Sequence, residues 1–245
     1  MTPPHGPLPE SPVRFPVMLH RWESATFLHW SYPVETVAGH LPPELRVEPW
    51  EGRAWVSVVL FRMYVRVPAV GWSVVPPFPE TNLRTYVVGP DGTPGIWFWS
   101  LDAASPSAVA AARSLYGLPY FYGRMAVEDA AAPVRYIGRR RRPGPVGTGY
   151  DLEVEPGRER PAAELSEFDH YLTARFTLWN RHGPMLLRTP VEHGAWTIRD
   201  ARVTRLDQAL TDAAGLPRPE GDPLVHYSPG VDVRIAPPRL RVSRS

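Results

Sequence analysis

Thirty-one prolines and 19 glycines are scattered through 245 residues, so few stretches are free enough for a long helix. Proline has no backbone N–H and its ring clashes with the preceding helical turn, which breaks helices and is tolerated at strand edges and turns. Between the prolines lie runs rich in Val, Trp, Tyr and Phe. In the run Arg53 to Val67, Arg62, Tyr64 and Arg66 share one parity while Phe61, Met63, Val65 and Val67 share the other, the period of a half-buried strand. Hydrophobic residues make up 43% of the chain, nine of them Trp, enough for a substantial core. The expected fold is α+β and mainly antiparallel β, with a few short helices in one large domain.

The order of elements follows from turn and cap chemistry. Residues 1–12 contain five prolines and little to bury, and read as a flexible or extended arm; residues 13–236 read as a single domain and 237–245 as an extended tail. Ala25 to Tyr32 suits a strand, and the next residues a short helix between Pro33 and Pro42. Leu45 to Trp50 and Arg53 to Val67 read as a hairpin about Glu51-Gly52. Asn82 to Val88 and Gly95 to Leu101 read as a second, turned by Pro90-Asp91-Gly92-Thr93. A helix follows, with Ser105 as its cap, Pro106 at its first position and Gly117 as its left-handed end. In the second half the pattern predicts a strand at 150–154, a short helix running into a strand at 173–179, a strand through MLLRTPVEHGAW and a helix near 207–214. The segment HYSPGVDVRI reads as a turn leading into the last strand.

All 27 basic residues are Arg; the chain contains no Lys, and with 25 acids its formal charge is +2 and its pI about 9.0. The one dense basic patch, Arg139 to Arg142, precedes Pro143-Gly144 and reads as a solvated turn without a reader element, so nucleic acid is not expected as a partner. No Cys is present, which excludes disulfides, thiolate metal sites and a Cys nucleophile. The eight His are scattered without metal-ligand spacing, and no phosphate-loop, dinucleotide or hydrolase-elbow motif occurs. Neither metal nor cofactor is expected. No apolar run reaches the roughly 20 residues of a membrane span and no signal pattern opens the chain, so a cytoplasmic protein without a membrane partner is the expectation.

The chemistry concentrates between Glu80 and Arg124. Alternation puts Glu80, Asn82, Arg84 and Tyr86 on one strand face, and on the facing strand it groups Ser100 and Asp102 with Ile96 and Phe98. That polar face either lines a pocket or meets solvent. Tyr120, Tyr122 and Arg124 share a strand face and suit a carboxylate, although aromatic strand residues also serve as packing. Arg113 lies in the last turn of its helix, where a cation suits the dipole. His29, His193 and His226 each read either as pocket histidines or as buried structural ones. Asp169 and His170 are adjacent, diverge in any regular structure and are expected at the surface.

The segment ARSLYGLPYFYGRM, preceded at the right distance by Glu80 and a strand-turn-strand, resembles the acetoacetate decarboxylase-like superfamily. FLHW, LPPEL, NLRTYV, SLDA, YGLPY and HYSPGVDV, spread over about residues 25–235, resemble its YqjF-like branch. The resemblance implies a curved sheet or cone-like β-barrel around a pocket, possible homo-oligomers, and a small carboxylate- or carbonyl-bearing ligand. It also places Tyr120 where the decarboxylases carry their Schiff-base Lys and Phe121 where a second Lys lowers its pKa. An imine needs a primary amine, and no Lys side chain exists to supply one. Two readings stay open. One is a lyase, dehydratase or isomerase acting on an oxo-acid, with Glu80, Tyr120 and Arg113 catalytic and Asn82, Arg84, Tyr86, Ser100, Tyr122, Arg124 and His193 binding substrate. The other is a binding protein that keeps the pocket without the nucleophile.

Overall fold

The computed structural model describes residues 5–71, 75–141 and 144–241. Thirteen strands form one sheet: β1 (Met18–Tyr32), β2 (Arg46–Val47), β3 (Ala54–Arg66), β4 (Phe78–Val88), β5 (Pro94–Ala103), β6 (Tyr120–Glu128), β7 (Val134–Arg140), β8 (Gly149–Glu159), β9 (Thr177–His182), β10 (Met185–His193), β11 (Arg199–Gln208), β12 (Leu224–Ile235) and β13 (Arg239–Arg241). Four short helices interrupt them: α1 (Val34–Ala38), α2 (Pro106–Tyr116), α3 (Glu167–Thr173) and α4 (Leu210–Ala213). All pairings are antiparallel except β5 with β6 and β5 with β9. The sheet curves back on itself, because β10 pairs with β12 as well as with β9 and β13. A mainly antiparallel curved sheet with a few short helices is therefore the architecture.

Strands β1, β3 and β4 form a wall buried on both faces. On one side Leu28, Val58, Leu60 and Leu83 meet Tyr136 and Leu152 of β7 and β8 in the larger apolar core. On the other, Phe27, Val59, Phe61 and Phe78 meet Val109 of α2 and Trp196. Hydroxyls inside the first core are satisfied: Tyr136 donates to the Ser24 carbonyl at 2.6 Å, and Thr81 donates to the Tyr150 hydroxyl at 2.7 Å. Helix α2 is delimited as its sequence predicts. The Ser105 hydroxyl accepts from the Ala108 N–H, Pro106 opens the helix, and Gly117 closes it at φ 65°, where its missing Cβ also lets the backbone of Arg181 and His182 approach.

Several sequence expectations are corrected. The segment before β3 does not form a hairpin with it; only Trp50 bridges Arg53, and β2 pairs with β4 instead. The segment HYSPGVDVRI is strand throughout, since β1 pairs with it continuously from Met18 to Glu23 and again from Ala25 to His29. Within the expected tail, β13 pairs with β10, and residues 242–245 lie outside the described residues. Within the expected arm His5 lies against Tyr171 and Trp50, and just past it the Val13 carbonyl accepts two bonds from Arg234. Nor is the arginine patch a solvated turn. Arg139 and Arg140 end β7, and Arg140 is buried, its Nε 2.8 Å from Asp102 Oδ1 and its guanidinium over the Phe121 ring. Arg142 lies outside the described residues.

A buried pair of this kind is expensive to break singly, because the survivor keeps its desolvated charge. Asp102→Ala is expected to lose about 3–5 kcal/mol in urea unfolding, and the double variant Asp102→Leu, Arg140→Met to regain most of it. A loss below about 1 kcal/mol in the single variant would show the pair to be solvated.

Candidate functional site

A cavity of about 710 Å³ opens between the second face of the wall, strands β5, β9 and β10, and helix α2. Its lining is largely apolar. Helix α2 contributes Ala108, Ala111 and Ala112, small side chains that let the helix sit close, together with Leu115, and the wall contributes Phe27, Val59 and Phe61. Against this background the polar groups stand out. Alternation on β4 delivers Glu80, Asn82 and Arg84 in sequence along the floor, each nearly inaccessible to solvent.

Arg84 is the anomaly. It is 5% exposed, and the bond recorded for its guanidinium is from Nη2 to the Leu172 carbonyl, at 3.1 Å; Nε is buried without a partner, and no carboxylate among the described residues pairs with it. Burial pushes its pKa down, yet guanidinium stays charged in proteins. Arg175 lies nearby on the segment entering β9 and is compensated. Its Nη1 reaches Glu48 Oε2 at 2.8 Å, Nε donates to the Tyr171 carbonyl, and its Cζ lies 4.7 and 4.4 Å from the Tyr86 and Tyr171 ring centroids. Its Nη2, like Arg84 Nε, has no partner. The pocket therefore holds one uncompensated positive charge with free donors, the arrangement that receives an anion.

Two rows away, Tyr120 donates its hydroxyl to Glu80 Oε2 at 2.9 Å. Burial raises the Glu80 pKa to about 8, the Tyr120 bond working against that shift and the charge of Asp102 adding to it. Burial, together with Glu80, also drives the Tyr120 phenol well above its ordinary range. The result is a carboxyl that titrates near neutral pH beside a phenol that stays protonated, a pair suited to moving a proton.

The other sequence candidates divide. His193 lines the cavity with Nδ1 2.7 Å from the Gly194 carbonyl oxygen, and burial lowers its pKa to about 4, so it is neutral. Tyr86 shares the parity of Arg84 but lies beyond the cavity, donating to the Leu172 carbonyl at 2.7 Å. Ser100 does not join the polar face. Leu83 pairs with Ser100 while Arg84 pairs with Phe98, so Trp99 is an extra, bulged residue. The bulge reverses the parity and turns Leu101, not Ser100 or Asp102, into the cavity. Tyr122 packs on the apolar cluster without lining the cavity, and Arg124 is exposed, because β6 leaves β5 after Ala103 and continues beside β7. Arg113 is likewise exposed on α2 and donates to the Tyr120 carbonyl at 2.8 Å, supporting the backbone that carries Tyr120 without reaching the cavity.

Behind Arg84 runs a buried chain that the sequence does not disclose. Arg160 binds Asp169 through two bonds of 2.9 and 3.0 Å, Asp169 Oδ1 lies 2.8 Å from His226 Nε2, and His226 Nδ1 lies 3.2 Å from His29 Nε2. His29 Nδ1 then meets the Ser57 hydroxyl at 2.7 Å, and Ser57 meets Tyr86 at 2.7 Å. Asp169 is thus buried, contrary to expectation, because α3 turns it inward; burial opposes its charge, but bonds from His226, Arg160 and Ser166 hold it well below the usual carboxylate range. Burial, His226 and Arg84 keep His29 neutral against the pull of Asp169. Arg175, Asn180, Thr173 and Thr189 also line the cavity without any sequence signal, since each depends on strands far apart in the chain.

The model of the DUF2071 family, described as an uncharacterized conserved protein, matches residues 20–232. The chain belongs to the DUF2071 family. It is 33% identical over 226 residues to the uncharacterized protein YqjF of Bacillus subtilis, covering 91% of this chain and 92% of that one. Among solved structures, the enduracididine biosynthesis enzyme MppR complexed with pyruvate superposes with a TM-score of 0.59 at 14% identity, covering 96% of this chain and 95% of that one. An acetoacetate decarboxylase-like enzyme from Sphingomonas wittichii gives 0.60 at 13% identity, with 95% and 96% covered. The acetoacetate decarboxylase of Legionella pneumophila gives 0.59 at 13%, with 96% and 92% covered. This DUF2071 chain thus has the acetoacetate decarboxylase-like fold.

Glu80 couples the site to stability. Its folded pKa of about 8 exceeds the ordinary 4.5, so between those values the folded protein holds a proton that the unfolded chain has released. That stabilisation is complete below pH 4.5 and is lost as pH rises through 8, at no more than about 1.4 kcal/mol per pH unit. Urea titrations between pH 5.5 and 8 are expected to show this slope in the wild type and a flatter one in Glu80→Gln. Equal slopes would mean that Glu80 titrates normally.

Proposed function

We propose that this protein is a small-molecule enzyme that acts on an oxo-acid or related carbonyl metabolite by acid/base and electrostatic catalysis, without an imine. The observation that carries this is Arg84, a buried guanidinium that lines the cavity with its Nε unpartnered and no counter-charge among the described residues. A substrate carboxylate is the complement of that charge. A neighbour of the same fold, MppR, is described in complex with pyruvate, an oxo-acid. The absence of Lys from the chain directs the chemistry away from a Schiff base and toward proton transfer.

With the carboxylate held at Arg84, Glu80 is the group that moves the proton. In its ionised form it removes a proton from the carbon beside the carbonyl: the C–H bond breaks, its electron pair passes to the carbonyl oxygen, and the proton rests on Glu80. The Asn82 amide is the nearest polar group along β4 for the enolate oxygen, and Tyr120 fixes the orientation of the Glu80 carboxyl. Return of the proton to another atom completes an isomerisation; loss of a leaving group from the neighbouring carbon completes a lyase or dehydratase reaction.

A thermal-shift screen of oxo-acids and their hydroxy and enoyl relatives, followed by turnover assays on the hits, tests this. Glu80→Gln is expected to lower kcat by roughly 10²–10⁴-fold, and Arg84→Met to weaken binding by roughly 10- to 100-fold. With Glu80 as base, kcat/KM climbs with pH to a plateau above about 8. Tight binding of these acids with no turnover would instead identify a binding protein, and borohydride trapping of a substrate on a side chain would overturn the imine-free mechanism.

A further inference from the structure

The registers of β1, β3 and β4 set out the cavity wall as successive rows. Arg84 lies opposite Ser57, Asn82 opposite Val59 and Glu80 opposite Phe61; further along, Met63 pairs with both Phe78 and Trp22, and Val65 pairs with His20. Strand rise is about 3.3 Å per residue, so the His20 row lies about 13 Å beyond the Glu80 row, on the side away from Arg84. Past His20 the lining returns to apolar groups, Met18 and Val67. Arg84 thus marks one end of these rows, and Glu80 stands midway between it and His20.

Between Glu80 and the apolar end the cavity contains a second polar station. Both ring nitrogens of His20 and the indole Nε1 of Trp22 are shielded from solvent and have no hydrogen-bond partner among the described residues. Both side chains line the cavity, with ring centroids 6.4 Å apart. Burial lowers the His20 pKa to about 4, so its ring is neutral at physiological pH, with one N–H donor and one lone pair. Shielded polar atoms left unpaired cost free energy, and these lie against the apolar side chains of Met63 and Phe61. The volume points the same way. At about 30 Å³ per water in the liquid, 710 Å³ equals roughly two dozen water-sized units, far more than a three-carbon oxo-acid fills.

We propose that His20 and Trp22 form a distal recognition subsite, and that the substrate is an elongated oxo-acid with an apolar segment beyond its reacting carbon and an uncharged hydroxyl, carbonyl or amide further out. The proposal rests on the reading of Arg84 as the carboxylate anchor and adds the other end of the molecule. A hydroxyl fits a neutral imidazole, which offers one donor and one acceptor, and it also accepts from the Trp22 N–H. The apolar walls between the two stations accommodate the intervening chain.

Calorimetric titration of the full chain with pyruvate, 2-oxohexadecanoate and the terminally hydroxylated analogue of 2-oxohexadecanoate tests this. The long acid is expected to bind more tightly than pyruvate, and the hydroxylated one about tenfold more tightly again. Trp22→Phe, which keeps an aromatic ring, and His20→Phe should each shrink that hydroxyl preference while leaving the affinity for plain 2-oxohexadecanoate within about twofold. If Arg84→Met weakens all three acids but the wild type shows no preference for chain or hydroxyl, the subsite is refuted and the anchor stands. If Arg84→Met changes nothing, or none of the acids binds, anchor and subsite fall together.

Discussion

A strand buried on both faces has no solvent to offer a polar side chain, and β4 is such a strand. Thr81, Leu83, Thr85 and Val87 face one way, while Glu80, Asn82 and Arg84 face the other. Every polar group on it must be satisfied by protein or by something that enters. Thr81 and Thr85 are satisfied, by Tyr150 and by the Trp55 carbonyl. Glu80 is satisfied by Tyr120 and by a raised pKa, a change of charge taking the place of a counter-ion. Arg84 has no such escape, since guanidinium does not give up its proton. The cavity is organised around that residue.

Its surroundings explain how the charge is tolerated. Leu172, in the last turn of α3, has its carbonyl aimed at Arg84 and at the Tyr86 hydroxyl, so one acceptor serves both. Tyr86 in turn ends the chain from Arg160 through Asp169, His226, His29 and Ser57. The capping box of α3, with Ser166 and Asp169 bonding each other's backbone, fixes the helix that carries Leu172. Aromatic faces do the rest: Arg84 lies near the Phe27 and Tyr86 rings, at distances where the ring quadrupole favours a cation. Glu48, a buried acid of this region, is already engaged by Arg175.

Much of this was legible in the chain. Strand density, the Asp91-Gly92 turn, the Ser105-Pro106 cap and the Gly117 stop are local chemistry, and local chemistry reads well from sequence. The alternation Glu80, Asn82, Arg84 likewise survives, because β4 is regular along that length. What failed were features that depend on an irregularity or a remote partner. A single bulge at Trp99 reverses the face of Ser100; alternation contains no sign of it. Arg124 and Tyr122 were grouped with Tyr120 by parity, but β6 changes neighbours partway along, and a shared face is not a shared environment. His226, Asp169 and His29 look unrelated at separations of 57 and 197 residues; the pairing of β1 with β12 brings the two histidines together, and α3 turns Asp169 toward His226.

The electrostatics of the cavity follow from which groups keep a charge. His20, His193 and His29 are held neutral by burial, Arg175 is balanced by Glu48, and Glu80 is protonated over most of the neutral range. Arg84 is left as the dominant charge, and an anion entering the cavity meets no competing carboxylate below about pH 8. The same anion, once bound, adds negative charge on the floor of β4 and favours the protonated form of Glu80. Anion binding and proton retention at Glu80 are therefore linked, each strengthening the other by the same factor. A carboxylate substrate thereby raises the pH at which Glu80 ionises, so proton abstraction in the bound complex calls for a more alkaline pH than ionisation of the empty site.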